Sequence, residues 1–313
     1  MKKRKLRVLS AFDGIGTARQ VLKNINREVE YYAYEINKSS IKISKANHPD
    51  IIYLGDIRDF KLSDFGKGFF DLIVGGSPCQ NFSFSGKKYG MVTVKGVEVL
   101  TLERYLELKS EGFEFKGESY LFWEFVNLVK KLEPKYFLLE NVKMTKKWAN
   151  LISEVLGVKP IFVNSSEFTP ANRERNYWTN LTDIAPSGES PTLSNLIGNA
   201  VTGVGFRGKY IGNHHPDGSK WYQTYRSDRK DGIANAILTS LGGFSKNGKW
   251  SGTGHYLTVD GIVKTFTPEH CEQFQGLPIG YTNVKGVSKN QRIHGLGNGW
   301  TVPVIEYFFS FID

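Results

Sequence analysis

The sequence predicts an α/β chain with a doubly wound, mostly parallel sheet, followed by a smaller, irregular, β-rich domain. Three observations carry this. Short β-branched runs alternate with amphipathic stretches through the first part of the chain. From about Ala185 that rhythm gives way to turn-rich segments, among them PSGESP, GNHHPDGSK and LGGFSKNGKWSGTG, with short strands between them. The length of 313 residues with 40% hydrophobic content suffices for one full core and a smaller one. Strand–helix alternation is the pattern of parallel strands joined by crossover helices.

LRVLSA (6–11) reads as a buried first strand, and residues 16–26 as a helix with Ala18, Val21, Leu22 and Ile25 on one face. VEYYAYE (29–35) is a second strand, and a helix over 38–46 leads to a third, IIYLGD (51–56). FDLIVGG (70–76) is the fourth. An apolar helix over 120–132 is stopped by Pro134 and followed by a fifth strand, KYFLLEN (135–141). A helix over 146–157 ends at a glycine, and KPIFVNS (159–165) and RNYWTNL (175–181) are the sixth and seventh strands. Ser85 to Gly117 fits no element well; a connection of that length is expected to be a functional lid or a disordered loop. An apolar helix over 300–312 closes the chain. The expected domains are 1–183 plus 290–313, and 184–289, with no internal repeat.

Lys and Arg number 41 against 31 Asp and Glu, a net charge of +10, which points to a polyanionic partner, nucleic acid before membrane, although charge alone fits a merely soluble protein as well. Two cysteines, Cys79 and Cys271, exclude a disulfide framework and a Cys-rich zinc site, and no metal is expected. The apolar run Val8 to Phe12 is too short for a signal sequence, and no stretch is long enough to cross a bilayer. Lys2 to Lys5 reads as a solvated flank rather than a nuclear address.

FDGIGT, from Phe12 through Asp13, Gly14, Ile15 and Gly16 to Thr17, lies between the first strand and the first helix. Its glycines let a backbone approach a ligand at a helix N-terminus, but an ordinary tight turn explains them equally well, and the dinucleotide fingerprint is absent. Glu35 ends the second strand, 21 residues after Gly14, where an acid typically binds ribose hydroxyls. Asp56 ends the third, where an adenine amine would be accepted. Either acid alone is also a solvated strand end; three such features at consecutive strand ends imply a nucleoside-bearing cofactor. Cys79 follows the fourth strand in GGSPCQ. A lone cysteine is commonly buried and inert, but this one has Gly, Ser, Pro and Gln as neighbours and opens the unassigned stretch. Glu140 ends the fifth strand and is expected to face the same crevice. Arg173 and Arg175 precede the seventh strand, where i and i+2 point the same way; a solvated pair partnered by Glu174 is the plainer alternative.

In this order FDGIG, Glu35, GDI, GGSPCQ, ENV, RER, TPEHCEQFQGLP and GNGWTVP resemble the motifs of the DNA cytosine-5 methyltransferases, across essentially the whole chain. Ala171 and the run from Trp300 are similar to the animal de novo enzymes, whereas Gln80, Asn298 and Gly299 are nearer the bacterial pattern. The stretch from Ser85 to Gly117 is longer than usual for that family. The resemblance implies a Rossmann-like methyltransferase sheet with a target-recognition domain and S-adenosyl-L-methionine as methyl donor. It implies that Cys79 adds to cytosine C6, with Glu140 stabilising the adduct, Arg175 holding O2 and Arg173 helping to orient the site. It extends the cofactor site to Ile36, Ile57, Pro78, Asn298, Gly299 and Trp300. It places DNA contacts on Arg226, Arg229 and Lys230 and at Gly242 and Gly243.

The implied partner is double-stranded DNA, bound by base flipping, with no membrane and no metal, and a monomer is expected. The implied place is the cytoplasm of a bacterial or phage-infected cell, or the nucleus of a eukaryote, and the implied role is sequence-specific modification, including a restriction or phage context. Two rivals stand beside this reading. A tRNA cytosine-5 methyltransferase shares the Pro-Cys-Gln motif, and a catalytically silent DNA-binding relative would lack the Cys79–Glu140–Arg175 set that is present here. A nicotinamide dehydrogenase would need the missing fingerprint.

Overall fold

A computed structural model describes residues 4–78, 82, 90–197, 200–209, 221–229, 231–239, 254–259 and 262–313, and of 200–209, 221–229, 254–259 and 262–265 only the backbone. The chain divides into two compact units. One comprises Met1–Val163, Glu174–Pro186 and Ile305–Asp313; the other comprises Asn164–Arg173 and Ser187–Val304.

The first unit is built on a seven-stranded sheet. Its strands are β1 (Leu6–Ala11), β2 (Val29–Tyr34), β3 (Ile52–Gly55), β4 (Leu72–Gly76), β5 (Tyr136–Val142), β6 (Ile161–Asn164) and β7 (Glu174–Thr179). They lie in the order β3-β2-β1-β4-β5-β7-β6. The pairs among the first five are parallel, and β7 runs antiparallel to β5. The order reverses beside β1, the place where open α/β sheets open a ligand crevice at the carboxyl ends of their strands. This is the doubly wound, mostly parallel Rossmann-like sheet that the alternation predicts.

Helices α1 (Thr17–Asn24), α2 (Lys38–Asn47), α3 (Leu102–Ser110), α4 (Phe122–Leu132) and α5 (Lys146–Leu156) belong to the same unit. Helix α4 forms because its apolar residues are dense enough to bury most of its surface: Phe122, Trp123, Phe125, Val126, Leu128 and Leu132 are all inaccessible to solvent. They join Leu9, Ile73, Leu139 and Trp178 of the sheet and Trp148 and Ile152 of α5 in one core.

The stretch that fits no element in the sequence is ordered from Gly90 onward. Thr101 caps α3 by accepting from the Arg104 amide, and Leu102, Tyr105 and Leu108 bury one face of that helix. Antiparallel bridges Val92–Glu98 and Thr93–Phe115 fold the flanking chain back on itself. The expectation that Ser85 to Gly117 fits no element is corrected for its described part, where α3 and the two bridges give regular structure, and 83–89 lie outside the described residues.

The second unit carries α6 (Leu193–Ile197) and an antiparallel sheet of β8 (Ala200–Lys209), β9 (Trp221–Arg229), β10 (Gly254–Val259) and β11 (Ile262–Thr265), in the order β11-β10-β8-β9. Helices α7 (Pro268–Phe274) and α8 (Lys289–Asn298) follow, and α9 (Val302–Phe309) leads out of it. Buried Glu272 and Arg292 tie α7 to α8, with Thr282 between them. Among the described residues no helix is long and apolar enough to cross a membrane.

Candidate active site

Three strand ends at the carboxyl edge of the first unit are tied in a row. The Asp13 amide donates to the Tyr34 carbonyl at 3.0 Å, and the Glu35 amide to the Gly55 carbonyl at 3.1 Å, so the parallel ladder continues past the strands. The β1–α1 turn needs left-handed backbone at Phe12 (φ 62°), Gly14 (φ 59°) and Gly16 (φ 79°). Among the described residues nothing comes within 4 Å of the Cβ position of Gly14, so a ligand has access to bare backbone there. Ile15 and Thr17 are buried beneath this turn.

Glu35 is the buckle of the turn. Its Oε2 accepts the Gly14 amide at 2.7 Å, and its Oε1 accepts the amides of Ile36 and Asn37 at 2.8 and 2.7 Å. A carboxylate has about four acceptor directions, so Oε2 retains one for a ligand hydroxyl. Ile36, beside it, is an exposed apolar side chain.

Asp13 differs from its neighbours, because its side chain turns inward. It is buried and accepts from the Tyr31 hydroxyl at 2.7 Å. Burial, reinforced by the Glu35 charge, raises its carboxyl to about 6. Within the β1–α1 turn, then, it is the Asp13 backbone that lies along the edge.

Asp56 caps the 3-10 turn Ile57–Asp59, accepting the Arg58 amide at 2.9 Å. The same carboxylate takes Arg58 Nε at 3.0 Å, and this guanidinium holds its pKa below the usual carboxylate range. Ile57 is buried under the turn.

Strand β4 delivers Ser77 and Pro78. Buried Asn141 donates to the Ser77 carbonyl at 3.1 Å and to its hydroxyl at 3.0 Å, bracing the segment that leads to Cys79. Asn141 is a contributor that motif reading passes over in favour of its neighbour Glu140; the signal was an amide side chain at a buried strand end. Cys79 itself lies outside the described residues. Phe82, three positions on, is buried with its ring 5.7 Å from that of Trp148.

Glu140 and Arg175 meet across the β5–β7 pair. Glu140 is opposite Tyr177, which makes Arg175 its diagonal neighbour, and Arg175 Nε lies 2.7 Å from Glu140 Oε1. The N–H does not point along that line, so among the described residues this buried oxygen receives no directed hydrogen bond. A buried acceptor beside a fixed cation is poised for a donor supplied from outside. Arg173, two residues earlier, serves other partners: its buried guanidinium donates to the carbonyls of Gly297 at 3.1 Å and Gly299 at 2.8 Å.

Asn298, exposed at the end of α8, has its amide 3.5 Å from His294, and Trp300 is buried. Arg226 and Arg229 lie on β9, opposite Gly205 and Thr202, with side chains outside the described set; Lys230, Gly242 and Gly243 lie outside the described residues altogether.

Comparison with known proteins agrees with this architecture. An orphan methyltransferase of Bacillus phage rho11s is 33% identical over 187 residues, covering 55% of this chain. A similar relative in Bacillus phage SPR is 32% identical over 187 residues. The matches cover only 32% and 37% of the lengths of these two phage proteins. A type II methyltransferase of Lactococcus lactis subsp. cremoris, M1.ScrFI, is 26% identical over 333 residues, spanning 97% of this chain and 77% of its own. Among solved structures, the Entamoeba histolytica methyltransferase EhMeth superposes with a TM-score of 0.63 at 14% identity, covering 99% of this chain and 98% of that one. A Spodoptera frugiperda DNMT2 gives 0.61 at 17%, covering 98% and 99%. At these identities the structural likeness speaks for the fold alone. The family model described as C-5 cytosine-specific DNA methylase matches residues 6–177, more than half of the chain, and the chain belongs to that family.

Proposed function

We propose that this methyltransferase transfers a methyl group from S-adenosyl-L-methionine to C5 of a cytosine in double-stranded DNA, with Cys79 as covalent nucleophile. The observation that carries the reading is buried Glu140, with an acceptor oxygen lacking a directed donor and Arg175 beside it, on the strand neighbouring the one that leads into Ser-Pro-Cys-Gln. The cofactor fits the residues present. Gly14 offers open backbone, Glu35 keeps an acceptor for a ribose hydroxyl, and Asp56 presents a carboxylate for the adenine amine. Asn298, Gly299 and Trp300 are assigned to the cofactor by resemblance. When bound, S-adenosyl-L-methionine supplies an electrophilic sulfonium methyl group.

Cytosine C5 is a poor nucleophile. Addition of the Cys79 thiolate to C6 breaks aromaticity and gives C5 enamine character, chemistry that a thiol supports near neutral pH. Charge builds toward N3 and O2 as the C–S bond forms. The Glu140 carboxylate suits a proton shared with N3 and the exocyclic amine, and the Arg175 guanidinium suits O2, so developing charge meets prearranged groups. After transfer the C5 proton is lost, with water as acceptor, and Cys79 leaves. The target base must first be extruded from the duplex at a cost of a few kcal/mol.

Residues 1–183 plus 290–313 are assigned to catalysis and 184–289 to target recognition, with Arg226 and Arg229 as base readers and Lys230, Gly242 and Gly243 as further DNA contacts. The test is methyl transfer by the purified chain from labelled S-adenosyl-L-methionine to duplex DNA and, in parallel, to tRNA, with bisulfite sequencing of the DNA product. Label at C5 of duplex cytosines is expected; label in tRNA alone would reassign the substrate, and label in neither would refute the activity.

A further inference from the structure

A chain of polar contacts runs from the end of β3 into the interior of the first unit, and the reaction uses none of it directly. The carbonyl of Arg58, two residues beyond Asp56, accepts from Lys109 Nζ at 2.8 Å. The same ammonium lies 2.6 Å from Glu124 Oε1, and Glu124 is 1% exposed. The Tyr105 hydroxyl donates to that same oxygen. The Tyr120 ring stacks on that of Phe115 at 4.4 Å. Lys109, Tyr105 and Phe115 come from the stretch around α3; Glu124 comes from α4.

Two features go beyond packing. Glu124 lies between Trp123 and Phe125, both fully buried, where a carboxylate is costly unless paired and an apolar side chain would fill the core more cheaply. Lys109, paired with that carboxylate, gives a further donor to a main-chain carbonyl, which fixes backbone rather than a side chain. The backbone so fixed is the turn whose cap is Asp56. The Arg58 guanidinium engages both oxygens of Asp56. An amine arriving at Asp56 takes over acceptor capacity held by that exposed guanidinium, while the Arg58 amide keeps its bond to Oδ1. The side chain must yield while the turn stays in place.

We propose that Lys109, held by Glu124, is a positioning residue for the cofactor's adenine: it fixes the turn Ile57–Asp59, and through it the Asp56 carboxylate that reads the exocyclic amine. This rests on the assignment of Asp56 to the adenine edge. It gives the long α3 stretch a task in cofactor selectivity, over and above any contact with DNA.

The test is calorimetric titration of the full chain with S-adenosylhomocysteine and with S-inosylhomocysteine, which has a carbonyl in place of the amine. The wild type is expected to prefer the adenosyl ligand by ~10-fold, the effect of losing one hydrogen bond to a charged acceptor. Asp56→Ala brings the ratio close to unity. Lys109→Met lowers the ratio by at least ~3-fold, less than loss of the acceptor itself, and Lys109→Arg restores most of it. A merely structural lysine would weaken both ligands by one factor and leave the ratio intact; that result, with the ratio lost in Asp56→Ala, overturns the positioning role alone. An unchanged ratio in Asp56→Ala overturns the adenine assignment and the proposal with it. Should Lys109→Met fail to fold, Lys109→Met combined with Glu124→Gln removes both charges together and gives the same readout.

Discussion

Among the described residues Glu140 keeps one oxygen without a directed donor although Arg175 Nε is only 2.7 Å away. Glu140→Gln keeps the size but can neither share a proton with N3 nor balance the Arg175 charge. It is expected to lower kcat by about 10²–10³-fold with little change in cofactor affinity, measured by steady-state methyl transfer alongside calorimetry. The two cysteines differ in a way that alkylation will read. Burial, with Glu272 adjacent, pushes the Cys271 thiol up to about 12, so it is inert near neutral pH. Peptide mapping after brief iodoacetamide treatment of the native chain is expected to find Cys79 modified and Cys271 untouched; preferential labelling of Cys271 would count against the nucleophile assignment. At Asp13 the folded-state pKa is raised, to about 6 from 3.8. The folded chain therefore holds this proton more tightly than the unfolded chain. Its contribution to stability is complete below the unfolded value and is lost as pH rises through the folded one, up to about 3 kcal/mol in all. Asp13→Asn is expected to gain on the wild type by up to that amount between about pH 4 and pH 7, in urea unfolding at the two ends of the window. The inward turn of Asp13 was not legible in the sequence. Motif spacing gives its position at the edge, but the left-handed backbone at Phe12, with φ 62°, precedes it, and side-chain direction depends on such angles.

Helix α3 and the chain before it show where legibility ends at the scale of elements. The parallel strands were readable because each is a short apolar run bounded by turn residues, and α4 because its apolar face persists for three turns. Helix α3 is nine residues long with three buried positions, Leu102, Tyr105 and Leu108, spaced by three, and Lys109 and Tyr105 make polar contacts with Glu124. A pattern so short is hard to separate from a loop, and a partner 15 or 19 residues away in sequence leaves no periodic trace. The place of β7 between β5 and β6 was illegible for a similar reason: local pattern gives strands, while order is set by long-range pairing. Gly90 tests how the start of this stretch is anchored. A Cβ there would fall 1.8 Å from Trp148 Cζ2, and its φ is +65°. Gly90→Val is expected to destabilise the chain by about 3 kcal/mol, from overpacking and backbone strain together, read as a shift in the urea midpoint. A shift within error would mean that Gly90 does not rest on Trp148.

Taken as a whole molecule, the chain joins a sheet that ends in candidate catalytic and cofactor residues to a unit built on an antiparallel sheet. The fold class was legible because short apolar runs alternate with amphipathic stretches, and the candidate site residues were nominated because they sit at strand ends in a fixed order; Arg226 and Arg229, on β9, carry no periodic signature that marks them as base readers. Arg226→Ala and Arg229→Ala, profiled on a randomised duplex library, are expected to relax preference at one position each, at ~1–3 kcal/mol of discrimination per arginine. Uniform loss of rate with an unchanged sequence preference would reduce them to phosphate contacts. The central claim, that methylation proceeds through a covalent bond from Cys79 to cytosine C6, is met most directly by trapping that bond. The chain is incubated with S-adenosyl-L-methionine and a duplex library carrying 5-fluorocytosine, whose fluorine cannot leave as a proton, and is then digested and mapped by mass spectrometry. The account predicts a methylated fluorocytosine adduct on the peptide containing Cys79, absent in Cys79→Ser. Methylation of ordinary cytosine in the same duplexes, with no adduct on that peptide, would contradict it.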